Sequence, residues 1–178
     1  MIQRRFIVDM GRCIGCNACS ISCKDRSGLS DELDLLRVER NESGKYPKVE
    51  MFYRVTHCFH CENPPCVEAC NYDAISKNED GFVLLDKVKC IGCGSCSCVC
   101  PFESIIESGN IFMKCDGCND EVAKGLDPTC VRACLTRALS FKILDEMQSI
   151  DRLEEDFQDF GIGPSLIYLK KRKKIAER

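Results

Sequence analysis

The residues of this 178-residue chain best suited to chemistry are its 17 cysteines, and all but one fall into four groups of four. Cys13, Cys16, Cys19 and Cys23 are spaced C-x2-C-x2-C-x3-C, and Cys58, Cys61, Cys66 and Cys70 are spaced C-x2-C-x4-C-x3-C. Cys90, Cys93, Cys96 and Cys100 repeat the first spacing and are followed by Pro101, whereas Cys115, Cys118, Cys130 and Cys134 read C-x2-C-x11-C-x3-C. Such spacing answers a specific demand. A cubane 4Fe-4S cluster has four iron corners, and each needs one soft thiolate. Three cysteines two residues apart wrap a tight loop around three corners, and the last one begins a helix leading away from it. Where two such clusters are held together, that last thiolate serves the other cluster. Groups of this form therefore come in pairs, and four groups imply two pairs. A lone C-x2-C is shared with zinc ribbons and redox dithiols; two complete runs, one ending in Cys100-Pro101, are far more specific.

The remaining candidates weigh less. Cys98 meets neither the two-residue spacing from Cys93 nor the three-residue spacing to Cys100, and Cys96 meets both, so Cys98 is read as a small buried thiol or as a neighbour of a cluster rather than a ligand. His57 and His60 flank Cys58, and Cys58-Phe59-His60 has the look of half a Rieske site. That site needs two histidines on one iron, and no second such box exists, so both are read as neighbours of a cluster or as surface groups. Zinc is the alternative for the fourth group, because long spacings such as x11 occur in zinc ribbons; its full set of cysteines favours iron. For catalysis the chain offers no phosphate loop, no dinucleotide fingerprint and no second set of histidines. Gly161-Ile162-Gly163-Pro164 reads as a turn. Each group can close its cluster with thiolates, which leaves no open iron for a substrate, so a non-catalytic role is expected.

The elements that must hold these loops are repeated along with them, which points to a duplication. Phe6-Ile7-Val8-Asp9 precedes Cys13 as Val83-Leu84-Leu85-Asp86 precedes Cys90, and each aspartate lies four residues before its cysteine. Cys-Ile-Gly-Cys then occurs at 13–16 and at 90–93. Cys66-Val67-Glu68-Ala69-Cys70 is matched by Cys130-Val131-Arg132-Ala133-Cys134, and Ala-Ile-Ser (74–76) by Ala-Leu-Ser (138–140). The β-branched runs predict short strands, and the segments after Cys19 and Cys96 predict short helices. Gly15, Gly92 and Gly94 stand where backbone must approach a cluster closely.

Composition narrows the setting. A cysteine density near one in ten suits either a disulfide scaffold in an oxidising compartment or thiolates on metal. Arg4, Arg5 and Phe6 faintly resemble a twin-arginine signal, but Asp9 interrupts the apolar run behind them and Cys13 leaves no room for a longer one. No stretch reaches the roughly 18 apolar residues of a membrane span. A cytoplasmic protein with metal-bound thiols is expected, and so many oxygen-sensitive clusters suggest an anaerobic host. A net charge of −3 argues against nucleic acid as a partner.

In this order, the four groups resemble the iron–sulfur subunits of the dimethyl sulfoxide reductase family over about residues 5–142. The likeness is strongest at His60-Cys61-Glu62-Asn63-Pro64-Pro65-Cys66 and Lys114-Cys115-Asp116-Gly117-Cys118. It implies an α+β fold: two fused ferredoxin-like modules of small antiparallel hairpins and short helices, carrying four 4Fe-4S clusters within a domain spanning 1–142. It also implies that the first group pairs with the fourth and the second with the third. The ligand sets would be Cys13, Cys16, Cys19 with Cys134; Cys115, Cys118, Cys130 with Cys23; Cys58, Cys61, Cys66 with Cys100; and Cys90, Cys93, Cys96 with Cys70. Proline often follows the last cysteine of such groups, but Lys24, Asn71 and Leu135 stand in three of these places. Proline shapes backbone rather than binding iron, so all four clusters are expected. The implied function is one-electron relay between a molybdenum- or tungsten-pterin catalytic subunit and a second donor or acceptor. The alternatives are the same role in a carbon monoxide dehydrogenase or hydrogenase, and a free diffusible polyferredoxin.

Residues 143–178 have no counterpart in that likeness and are expected to form a helical extension. Apolar residues at Ile143, Leu144, Met147, Ile150, Leu153, Phe157 and Phe160 recur at helical spacing, with Gly161 as the stop. This face of 143–160 would pack on the body, dock on a second electron-transfer subunit or pair with another copy. Seven acids against Arg152 over 145–160 give way to six bases against Glu177 over 165–178. Such a basic tail is either solvated or meets an acidic surface or anionic lipid.

Overall fold

The computed structural model describes residues 4–143 and 160–170, and its sheet begins with the first apolar run. Strand β1 (Arg4–Asp9) is buried from Phe6 to Asp9 because a strand flanks it on each side. Strand β8 (Leu139–Ile143) pairs with it antiparallel, Val8 opposite Leu139, and β9 (Leu166–Leu169) pairs with it parallel, Phe6 opposite Leu166. Three separate antiparallel hairpins accompany this sheet: β2 (Leu36–Lys45) with β3 (Lys48–His57), β4 (Ile75–Lys77) with β5 (Val83–Leu85), and β6 (Ile105–Ser108) with β7 (Ile111–Lys114). The fold is thus α+β with small sheets and short helices, as expected.

Only one helix among the described residues exceeds a single turn. Helix α1 (Ala18–Ser27) runs from Cys19 past Cys23 and stops at Gly28, whose φ of 61° supplies the left-handed cap. The others are α2 (Pro65–Glu68), α3 (Ser95–Cys98), α4 (Asn119–Val122) and α5 (Thr129–Arg132). Pro65 opens α2 and Pro128 precedes α5, where a missing N–H costs nothing. Helix α1 packs on α5, and α2 packs on α3.

The sequence repeat has a structural counterpart. Asp9 N–H donates to Ala138 O (2.8 Å), and Asp86 N–H donates to Ala74 O (2.7 Å). Cys13 N–H and Cys90 N–H each return to the matching aspartate carbonyl at 3.1 Å. The aspartate side chains accept from Gly11 N–H (3.0 Å) and Val88 N–H (2.9 Å). Each aspartate therefore folds the turn that delivers the first cysteine of its group.

Two buried cores lie between these elements, and both contain cysteines. The larger gathers Phe6, Val8, Leu36, Val55, Phe59, Phe82, Leu166 and Tyr168 with Cys19, Cys61 and Cys130; the smaller joins Ile75, Val83 and Ile105 to Cys66 and Cys96. Aromatic rings do much of the filling. Phe59 stacks on Phe102 with centroids 3.9 Å apart, and Phe6 meets His57 edge-on at 4.4 Å.

The C-terminal part departs from expectation. Ile143 ends β8 instead of opening a helix, Phe160 lies in a turn, and Leu166–Leu169 are a strand of the main sheet. The helix expected over 143–160 otherwise falls outside the described residues. The returning segment is fastened to the body. Arg5 Nη1 donates to Pro164 O (2.7 Å), Ser165 N–H to Phe59 O (2.7 Å), and Glu62 N–H to Gly163 O (2.8 Å). Tyr168 is buried, with its hydroxyl bonded to Val55 O at 3.1 Å. A four-residue apolar run thus finds its partner in β1, far back in sequence.

Candidate metal centres

Three cavities are each rimmed by four cysteines. One is lined by Cys23, Cys115, Cys118 and Cys130. A second is lined by Cys58, Cys61, Cys66 and Cys100, and a third by Cys70, Cys90, Cys93 and Cys96. Each combines three members of one group with a single member of another. The last four, Cys13, Cys16, Cys19 and Cys134, are electrostatic neighbours: after burial, Cys134 and Cys16 raise the Cys13 thiol, and Cys13 and Cys134 raise Cys19. The helix contacts account for this exchange, because α1 brings Cys23 to α5 while α2 and α3 bring Cys66 and Cys96 together.

Without metal, burial holds the inner cysteines as neutral thiols. Burial pushes Cys19, Cys61 and Cys66 up to about 12, and Cys23 up to about 11. Only a cation at the sulfur makes thiolate stable there. Backbone N–H groups already point at the sulfurs: Gly117 to Cys115 Sγ (3.3 Å), Thr129 to Cys118 Sγ (3.4 Å), and Ala138 and Leu139 to Cys134 Sγ (3.2 and 3.4 Å). At Cys134 burial pulls upward, but the donors Leu139, Thr136 and Ala138 outweigh it and the thiol is lowered. Among the described residues no three Cys, His, Asp or Glu side chains converge as a single ion would need. Four cysteines lining one cavity match in number the four corners of a 4Fe-4S cluster.

Glycines set how closely the loops pack. Gly92 has φ +74°, and a Cβ there would lie 2.2 Å from the backbone oxygen of Asn110. At Gly117, φ is +68° and a Cβ would lie 2.3 Å from the Phe82 ring. Gly109, in the turn of the β6–β7 hairpin, shares the positive φ but faces open space. Gly92→Ala is therefore expected to lose the iron of its own site, from about sixteen to about twelve irons per chain. Gly109→Ala, which meets only backbone strain of about 1–2 kcal/mol, should keep all of it. Iron analysis of the two variants side by side checks this.

The sites adjoin one another in a fixed order. Cys19 is among the charges that raise Cys130, Cys58 among those that raise Cys115, and Cys96 among those that raise Cys66, each after the larger effect of burial. These neighbours link Cys13/16/19/134 to Cys23/115/118/130, the latter to Cys58/61/66/100, and those to Cys70/90/93/96. Cys16, in the first set, and Cys93, in the last, are exposed. An ion cluster braces the second set: Arg26 donates twice to Asp116 (3.1 and 3.0 Å) and also meets Asp120, while Glu121 lies 3.5 Å from Arg26 and pairs with Arg132.

Several residues sit differently from the sequence expectation. Both histidines are buried, at 3 % and 2 % exposure, so neither is a surface group. His57 Nδ1–H donates to Cys58 O (2.8 Å) and His60 Nδ1 accepts from Val83 N–H (3.0 Å). Each ring spends one nitrogen on backbone, and the two do not converge as a Rieske pair. Burial lowers His57 to about 4, keeping it neutral. Cys98 is exposed at the end of α3, which removes the buried alternative for it. Ile162, read only as part of a turn, lines the cavity of Cys58, Cys61, Cys66 and Cys100; nothing local in sequence could place it there.

Residues 49–144 match the 4Fe-4S dicluster domain family, which makes this an iron–sulfur protein of the ferredoxin-like class. Over 156 residues the chain is 38 % identical to the B subunit of the anaerobic dimethyl sulfoxide reductase of Escherichia coli K12, spanning 82 % of this chain and 76 % of that protein. It is 37 % identical over 152 residues to the thiosulfate reductase electron transfer subunit of Salmonella typhi, spanning 82 % of this chain and 79 % of that one. It is also 33 % identical over 160 residues to the iron-sulfur subunit of the nitrate-inducible formate dehydrogenase of Escherichia coli K12, 79 % and 54 % respectively. The chain belongs to the family of dimethyl sulfoxide reductase iron–sulfur subunits, as its cysteine motifs led us to expect.

Proposed function

We propose that the chain relays single electrons through four 4Fe-4S clusters, to or from the molybdenum- or tungsten-pterin catalytic subunit of an oxidoreductase, and is not itself catalytic. The observation that carries this is the gathering of cysteines from different groups around three cavities, with Cys16 and Cys93 exposed. The ligand sets in this reading are Cys13, Cys16, Cys19 and Cys134; Cys23, Cys115, Cys118 and Cys130; Cys58, Cys61, Cys66 and Cys100; and Cys70, Cys90, Cys93 and Cys96. They form two interleaved modules, the first and fourth groups in one and the second and third in the other. The matched hydrogen bonds of Asp9 and Asp86 support that division. The strand β9 is fastened to the first module.

When bound, each cluster supplies a one-electron carrier whose potential is set by its surroundings. The chain contributes those surroundings. Thiolates hold the iron, and the N–H groups aimed at Cys115, Cys118 and Cys134 favour negative charge on sulfur. Phe59, Phe102 and Ile162 keep water from the third set. At the ends, Ile14 and Leu135 beside the first set, and Val88 and Ile91 beside the last, are 60 %, 80 %, 94 % and 57 % exposed. Apolar side chains at a protein surface next to a redox centre suit contact with partners: the catalytic subunit at one end, a second donor or acceptor at the other. Among the described residues no helix is long and apolar enough to cross a membrane. A cytoplasmic location belongs to the same reading and is checked by fractionation.

Metal analysis of the native complex, purified without oxygen by a tag on this chain, tests the proposal. About sixteen irons per copy with stoichiometric molybdenum or tungsten is the expected result. Nickel would transfer the role to a carbon monoxide dehydrogenase or hydrogenase. Iron alone, on a monomer, would mean a diffusible polyferredoxin. Zinc with fewer irons would remove one cysteine set from the relay.

A further inference from the structure

We propose that the charge of Lys114 is an electrostatic element built into the junction of the second and third cysteine sets, raising the reduction potentials of both clusters relative to the outer two. The inference rests on the four-site reading above.

Lys114 ends β7 and is 7 % exposed. Its Nζ donates to Val83 O and to Cys115 O, the latter at 2.7 Å. Both acceptors are carbonyls, and among the described residues no carboxylate pairs with it. An ammonium taken out of water and met only by carbonyls is costly unless an anion faces it. Other titratable groups near it are engaged elsewhere: Asp116, which lines the same pocket, is taken up by two hydrogen bonds from Arg26, and the His57 and His60 rings each bond to backbone through one nitrogen. What remains are the thiolates.

Those thiolates belong to two different sites. Cys115, whose carbonyl accepts from Lys114 Nζ, lines the cavity with Cys23, Cys118 and Cys130. Val83, whose carbonyl is the other acceptor, lines the cavity of Cys58, Cys61, Cys66 and Cys100. Neither Val83 nor Cys115 lines the cavity of Cys70, Cys90, Cys93 and Cys96. Four thiolates around a cluster leave net negative charge, which is the counter-charge Lys114 lacks within the protein. A fixed positive charge favours the more negative, reduced state, so the two inner sites become the more readily reduced. Lys114 is a positioning residue for charge: it binds no iron and touches no substrate.

The test is a redox titration followed by electron paramagnetic resonance on the complex carrying Lys114→Gln, which keeps N–H donors for Val83 O and Cys115 O but removes the charge. Two of the four midpoint potentials are expected to fall, each by roughly tenfold in the reduction equilibrium, or about 59 mV for a one-electron couple. The other two should stay, and Lys114→Arg should restore the pattern. Four unmoved potentials with iron retained, or four that shift together, would overturn the inference. Should Lys114→Gln lose iron, retention in Lys114→Arg supports a charge role, and loss in both overturns it in favour of packing. Fewer than four titrating clusters in the unsubstituted complex would overturn the four-site reading itself, and this inference with it.

Discussion

Stripping the iron from this chain with a chelator, without oxygen, is expected to unfold it. The described elements cannot stand by themselves. Strands β4 and β5 have three residues each, β6 and β7 four, and four of the five helices are single turns. Isolated hairpins and turns of that length are unstable in water. What joins them are cysteines at the centre of both cores, Cys19, Cys61 and Cys130 in one and Cys66 and Cys96 in the other. Structural metal sites contribute on the order of 10 kcal/mol each, against a total stability of about 5–15 kcal/mol for a domain. Loss of four such sites exceeds anything the aromatic packing of Phe6, Phe59, Phe82 and Phe102 can replace. The thiols left behind add a pH dependence. Cys19, Cys61 and Cys66 are raised by burial from an ordinary 9.0 to about 12, so a metal-free fold binds more protons than the unfolded chain between those values. Any residual structure is therefore most stable below about pH 9 and is lost as pH rises toward 12. Far-ultraviolet circular dichroism and a thermal scan, before and after chelation, make the measurement. A metal-free chain that keeps its spectrum and melts cooperatively would show that packing, not iron, holds the fold.

The cluster chemistry was readable because ligand spacing is local: C-x2-C-x2-C places three sulfurs by chain geometry alone. The repeat was readable for a similar reason, since Asp9 and Asp86 act within their own turns on Cys13 and Cys90. What escaped depends on distant partners or on surfaces without pattern. The β2–β3 hairpin is the longest in the described structure, yet from Glu42 to Glu50 both of its faces are exposed and no alternation marks it. Leu166–Leu169 is too short a run to reveal a parallel pairing with β1 at the other end of the chain. His57 and His60 are polar by type, but Phe6, Phe82 and backbone partners enclose them. Cys98 shows the converse: a small apolar-leaning residue, for which burial was one expectation, is turned out by the single turn of α3.

The second large effect concerns which cysteines share a site. The structure gathers Cys23 with Cys115, Cys118 and Cys130, although Cys23 lies in sequence with the first group. Its thiol is raised to about 11, by burial first and then by Cys118, whereas Cys13 answers to Cys134. If these neighbours are co-ligands, substitutions within one set must be redundant and substitutions across sets additive. Cys118→Ala should reduce iron from about sixteen to about twelve per chain. Adding Cys23→Ala should take away no more, while adding Cys19→Ala should bring it to about eight. Were ligation to follow sequence instead, Cys23→Ala and Cys19→Ala would be the redundant pair. The same substitution cuts the relay in its middle. In the proposed relay the second set lies between the first and the third, so emptying it widens the gap that an electron must cross in one step, and transfer falls steeply with distance. Turnover driven through this chain by its physiological donor or acceptor should drop to background in Cys118→Ala. Turnover with a small dye that exchanges electrons directly with the catalytic subunit should persist. Equal loss of both would mean that the cysteine set supports assembly of the complex, and undiminished turnover with about twelve irons would mean that electrons travel by a route that bypasses the second site.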